Sequence, residues 1–194
     1  MCEKFIKPIN LLKKFKIYNS EEFFCLSVLK YEKNIRKAIL RYKFTRRKDY
    51  FKNFAKLMAE SLKKNFENLD FDFITSVPID KYKTNQRGYN QSKELAEEMS
   101  KILNIPYKEL LMKTKQTKEQ HLSNAKERKE NLRGVYSIIK SVILSRKSIL
   151  LCDDIVTTGS TLSECVQILK EAKACRVFCV TLAATILDFH NFKK

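Results

Sequence analysis

Residues Ile149–Thr161 read ILLCDDIVTTGST: an aliphatic run, two adjacent aspartates, and a cluster of hydroxyls around one of only three glycines in the chain. Strands of a parallel sheet are buried on both faces, so they read as unbroken apolar runs, and ILLC fits that pattern. Ligands of such sheets bind where strands give way to helices. Asp153 and Asp154 are expected at that edge, just past the strand. Thr157, Thr158, Gly159, Ser160 and Thr161 would form the turn into the next helix. Such a turn suits a phosphate. Backbone N–H groups converge at a helix N-terminus, hydroxyls add donors, and glycine lets the backbone approach closely. Two carboxylates would repel a phosphate they touched, but they accept hydrogen bonds well from sugar hydroxyls. The stretch reads as a cradle for ribose 5-phosphate. A plain helix cap would need neither the paired aspartates nor four hydroxyls.

Working outward, RVFCVTLAATIL after this motif reads as a second buried strand, with the helix SECVQILKEAKA between the two. Before the motif come the strands DFITSVP, VYSII and SILLC and the helix SKELAEEMSKILN, for which Ser92 is the expected N-cap. From Phe71 onward strands and helices alternate, which indicates an α/β domain with a largely parallel sheet. Upstream, EEFFCLSVLKY reads as a strand and EKNIRKAILRYKF as a helix. DYFKNFAKLMAESLKKNF is an amphipathic helix with Phe51, Phe54, Ala55, Met58 and Leu62 on one face. The first twenty or so residues are basic and weakly patterned. IDKYKTNQRGYNQ is expected as a loop, and KTKQTKEQHLSNAKERKENLRG as a long polar loop without an apolar face.

The 194 residues suffice for one domain of ordinary size, and 44% hydrophobic residues can supply its core. The net charge of +17 favours polyanions or phosphorylated ligands, although a lysine-rich surface accounts for part of it. Six cysteines include no C-x-x-C pair, so neither a disulfide framework nor a complete metal site is indicated. No secretory signal is visible, and VFCVTLAATIL is shorter than the roughly 20 residues of a membrane span. These features lead to the expectation of a cytoplasmic protein without membrane insertion.

The thirteen-residue motif resembles the phosphoribosyl-pyrophosphate (PRPP) site of type I phosphoribosyltransferases. Three further stretches narrow the resemblance to ComF-type competence proteins: LKYEKNIRKAILRYKF, SVPIDKYKTNQRGYNQSKELAEEMS and HLSNAKERKENLRGVY. The resemblance implies a type I phosphoribosyltransferase-like fold, with a mostly parallel central sheet flanked by helices and a small N-terminal hood. Residues 1–22 would be a remnant or extension, and 23–194 the phosphoribosyltransferase-like domain, with the hood at 23–70. It further implies a pyrophosphate loop after Pro78, where Lys81, Arg87 and N–H groups near Gly88 would meet a diphosphate. A flexible loop at 113–133 would close over the substrate with Arg128 and Arg133 facing it. His121 reads as a solvated loop residue. Magnesium would arrive with PRPP, held chiefly by ligand oxygens and water.

ComF-type proteins usually begin with a zinc module of two C-x-x-C pairs. Only Cys2 stands near the start here, so zinc binding is not expected. Three functions stay open. The first is a magnesium-dependent phosphoribosyltransferase of nucleotide metabolism with an unknown acceptor. The second is a factor in natural transformation that handles internalised single-stranded DNA alongside a DNA-uptake helicase. The third is a PRPP-sensing regulator without catalysis. Aromatics among basic residues in LRYKFTRRKDYFKNF suit single-strand binding, though two amphipathic helices joined by a basic turn would read the same way.

Overall fold

The apolar runs that flank the motif lie side by side at the centre of the molecule. In this computed structural model the structure describes residues 7–18, 21–44, 49–68, 70–114, 134–139 and 143–185. In chain order the elements are β1 (Leu11–Lys16), β2 (Glu22–Lys30), α1 (Lys33–Phe44), α2 (Asp49–Asn65), β3 (Phe73–Ser76) and α3 (Lys81–Arg87). They continue with α4 (Gln91–Leu103), β4 (Leu111–Lys113), β5 (Tyr136–Ile138), β6 (Ser148–Val156), α5 (Ser160–Glu171) and β7 (Arg176–Ala184). The main sheet has the order β1-β2-β7-β6-β3. β2, β7, β6 and β3 run parallel, and β1 closes one edge antiparallel to β2.

Two apolar layers cover this sheet. On one face Leu162, Cys165, Val166 and Leu169 of α5 meet Ile149 and Leu151 of β6 and Val177 and Cys179 of β7. On the other, Ile39 and Tyr42 of α1, Met58 and Leu62 of α2, and Leu95 and Met99 of α4 meet Leu26, Leu150, Cys152 and Val180. Alternate residues of β6 thus serve opposite layers, as a pleated strand requires. That is why ILLC carries no polar residue. Each fully buried leucine contributes about 1.5–3 kcal/mol of transfer free energy. Because β2, β7, β6 and β3 are parallel, their carboxyl ends share one edge. The turn before α5, the start of α1 and the segment before α3 all leave from it.

Several expectations need correction. Residues 11–16 are not an unpatterned extension but the edge strand β1, with alternating exposure. Its lysines hide the period, since Lys13 and Lys14 stand on opposite faces. The expected boundary at 22/23 falls one residue inside β2, the strand that pairs with β1. Within 23–70, β2 is built into the main sheet and α2 packs on α4, while α1 starts from the sheet's carboxyl edge. VYSII contributes β5, but β5 pairs with β4 in a separate two-stranded ribbon. The segment after Pro78 is not loop throughout, because it winds into α3. The N-cap of α4 is Asn90 rather than Ser92. Its side chain accepts from the N–H groups of Ser92 and Lys93.

Candidate functional site

The strand holding the acidic doublet is longer than the sequence suggests. β6 runs to Val156, so both aspartates lie within its last turn of pleat rather than beyond it. Ladder bonds to β7 continue to Val156↔Ala184 and hold the doublet against a rigid neighbour. Asp153 and Asp154 are each 9% exposed, which places them at the surface of the sheet edge rather than in bulk water.

The two carboxylates have different surroundings. Asp153 Oδ1 accepts from the Ser92 hydroxyl at 2.7 Å and from the Asp154 N–H at 2.8 Å. The charge of Asp153 is felt at Tyr136 and Cys165, on the α5 side. The charge of Asp154 is felt at Tyr42 of α1, on the other side. The Tyr42 hydroxyl donates to the Gln91 carbonyl at 2.9 Å and ties α1 to the first turn of α4. Asn90 also donates to the Val77 carbonyl, so that turn is fixed to the end of β3 as well. Ser92 is thus a functional candidate that sequence reasoning took for a cap. Its signal was its place in the first turn of the helix that starts beside the doublet's own sheet edge.

The turn after β6 has the composition expected of an anion cradle and leads directly into α5. Gly159 adopts φ +78°, in the left-handed region that disfavours side chains. A Cβ built there would overlap Cδ1 and Cε1 of the Phe15 ring. Two independent constraints therefore require glycine at this position. Gly159 also occupies the N-cap of α5, and no side chain caps the helix. Thr158 and Ser160 share a hydroxyl–hydroxyl bond of 2.9 Å, while the Ser160 N–H lies a long 3.5 Å from Thr158 Oγ1. Thr157 and Thr158 are exposed, and Ser160 and Thr161 half-exposed. The Thr161 side chain meets the Tyr136 hydroxyl, whose ionisation is pushed far up, chiefly by burial. An uncapped helix start with hydroxyls around it attracts anions through its N–H groups and its dipole.

The remaining predicted residues divide three ways. Lys81 opens α3 and Arg87 closes it, but their side chains lie outside the described ones. Gly88 is placed at φ +80°, and its N–H donates to the Thr84 carbonyl at 2.7 Å. That amide closes the end of α3. Arg128 and Arg133 lie outside the described residues. Among described residues, no group of three or more His, Cys, Asp and Glu could hold a metal ion. Burial pushes the thiols of Cys152, Cys165 and Cys179 well up and that of Cys25 to about 12, so these four are packing groups rather than nucleophiles. No described helix is long and apolar enough to cross a membrane.

With this geometry in hand, the comparisons with known proteins are specific. Residues 90–187 match the phosphoribosyl transferase domain family. Competence protein F of Haemophilus influenzae is 33% identical over 100 residues, which cover 50% of this chain and 44% of that protein. DNA utilization protein YhgH of Escherichia coli K12 is 34% identical over 112 residues, 56% of this chain and 48% of that protein. Competence protein ComFC of Streptococcus pneumoniae is 33% identical over 149 residues, 76% of this chain and 62% of that protein. The chain spans about half the length of the first two relatives. The crystal structure of adenine phosphoribosyltransferase from Saccharomyces cerevisiae superposes with a TM-score of 0.51 at 13% identity, covering 92% of this chain and 85% of that one. That likeness concerns the fold.

Proposed function

Because this chain belongs to the phosphoribosyl transferase domain family, in its ComF-type competence branch, we propose that the carboxyl edge of its sheet binds PRPP or a closely related phosphorylated ribose. The observation that carries this reading is the uncapped N-terminus of α5, wrapped by Thr157–Thr161, directly beside an acidic doublet whose Asp153 is held by Ser92. The turn takes the 5-phosphate through N–H groups and hydroxyls. Asp153 and Asp154 accept from the ribose hydroxyls. Asp153 Oδ1 already has two internal donors, so that carboxylate is oriented before the sugar arrives. The diphosphate then lies toward the segment between β3 and α4. The doublet also fits a magnesium ion carried in on the diphosphate, as a supplementary oxygen donor. When bound, such an ion supplies charge neutralisation on the departing diphosphate.

Transfer would break the bond from ribose C1 to the diphosphate oxygen, with the electron pair leaving on pyrophosphate, while an acceptor's lone pair forms the new bond to C1. The protein's part is to hold the ring and stabilise charge. The acceptor is unassigned, and a site that only senses PRPP uses the same contacts. The similarity to competence and DNA utilization proteins and the net charge of +17 support a role in natural transformation, for which we propose single-stranded DNA and a DNA-uptake helicase as partners. It is compatible with PRPP binding.

Calorimetric titration with PRPP in the presence and absence of magnesium tests the reading. Saturable binding is expected, and it should weaken at least about tenfold in the Asp153→Asn, Asp154→Asn double variant, about 1.4 kcal/mol. Equal affinity of wild type and double variant would remove the doublet from the site. Pyrophosphate released on adding a nucleobase would select the transferase over the sensor.

A further inference from the structure

A buried ion pair stands at the same edge with no part in the contacts above. Lys113, the last residue of β4, places its ammonium 3.2 Å from Asp80 Oδ2, and the two side chains are only 6% and 8% exposed. Asp80 immediately precedes α3, and its carbonyl accepts the Thr84 N–H, so it is fixed in the segment between β3 and α4. Lys113 pairs in register with Tyr136 of β5, and its ammonium sits 5.8 Å from that ring's centroid. Tyr136 in turn reaches Thr161 of the phosphate turn and feels the charges of both Asp153 and Asp80. One buried lysine thus joins the segment after Pro78 to the wall of the sugar-phosphate cradle.

Stability alone does not account for this pair. Desolvating two ions costs several kcal/mol each, and an apolar pair of similar volume is often as stable or more so. An ammonium has three donor hydrogens, and a carboxylate beside an anion site repels what the site must hold. We propose that Lys113 and Asp80 form a charge-exchange pair: Lys113 is the cation that takes the diphosphate of the incoming sugar, and Asp80 is the counter-ion that the diphosphate displaces. This rests on the phosphoribosyl reading of the site and adds a selectivity to it. A diphosphate brings enough charge to compete with Asp80 for the lysine. The 5-phosphate is held by the α5 turn and does not reach the pair. Ligands that carry only that phosphate therefore bind without the exchange.

The test compares PRPP, inorganic pyrophosphate and ribose 5-phosphate by calorimetry on the full chain, using wild type, Lys113→Met and Asp80→Asn. Lys113→Met is expected to weaken PRPP about tenfold or more and to leave ribose 5-phosphate within about twofold. Asp80→Asn removes the competing charge and retains the backbone carbonyl that accepts from Thr84, so PRPP and pyrophosphate should bind several-fold tighter. A merely structural pair predicts the opposite sign, with Asp80→Asn unchanged or weaker toward both ligands, and that result overturns the proposal even if Lys113→Met fails to fold. If wild type binds ribose 5-phosphate while PRPP affinity ignores both substitutions, the exchange falls and the cradle stands. If wild type binds none of the three ligands, the cradle reading falls and the exchange falls with it.

Discussion

Gly159→Ala offers a quantitative test of how the phosphate turn is built. Three contributions can be worked out separately. A residue with a side chain in the left-handed region costs about 1–2 kcal/mol. The new methyl overlaps the Phe15 ring, which is stacked on Phe23 at 5.5 Å and cannot withdraw without disturbing β1. Overpacking of that kind costs about 1–3 kcal/mol. Against these, alanine restricts the unfolded chain and returns about 0.4–1 kcal/mol. The net destabilisation is about 3 kcal/mol, a fall in melting temperature of about 6–12 °C for a chain of this size. Urea unfolding of wild type, Gly159→Ala, Phe15→Ala and the double variant separates strain from overlap. In the Phe15→Ala background the glycine substitution should cost only about 1 kcal/mol, because the dihedral strain remains and the overlap is gone. Equal costs in the two backgrounds, within about 0.5 kcal/mol, would refute the claim that the edge strand braces the turn.

Two other consequences concern single hydrogen-bonded carboxylates. Ser92→Ala removes a buried donor from Asp153 and should destabilise by about 1–3 kcal/mol while weakening PRPP binding; Ser92→Thr, which keeps the hydroxyl, should restore much of both, as read by urea unfolding and calorimetry. Asp72 accepts from Lys147 and from the Ser148 N–H, and these partners, the lysine first, hold its carboxyl below the usual 3.8. A group depressed in the folded state stabilises fully above its unfolded value and loses that contribution as the pH falls through the folded one. Wild type should therefore lose stability below about pH 3.8 more steeply than Asp72→Asn in denaturant titrations across that range, whereas parallel curves would show that the pair adds nothing.

The parts of this molecule that were legible in its sequence are those where one physical requirement dominates. β6 and β7 must be apolar on both faces, so SILLC and RVFCV could be read directly. Gly159 could be singled out because a turn of hydroxyls around a glycine is unusual chemistry for a plain cap. The type I fold followed from the family resemblance together with the alternation of elements. What escaped depends on tertiary context. β1 is a lysine-bearing edge strand, and half-buried lysines carry no period-2 signal. β4 is three residues long, too short for any periodicity. α3 has seven residues and no apolar face, so its sequence reads as loop. That the Gly88 N–H closes α3 on the Thr84 carbonyl was not legible, because composition does not show which carbonyl captures an N–H. Ser92 looked like a cap for the same reason. Asn90, two residues earlier, took that role and left the hydroxyl for Asp153.

The central claim is that the turn from Thr157 to Thr161 grips the phosphate of a phosphorylated pentose. The most direct measurement follows the backbone amides of that turn by 15N-edited NMR while ribose 5-phosphate is added to the wild-type protein. The account predicts that the largest shifts fall on Gly159, Ser160 and Thr161 and saturate with a single affinity. Saturable shifts centred elsewhere, with those three amides unmoved, would contradict it.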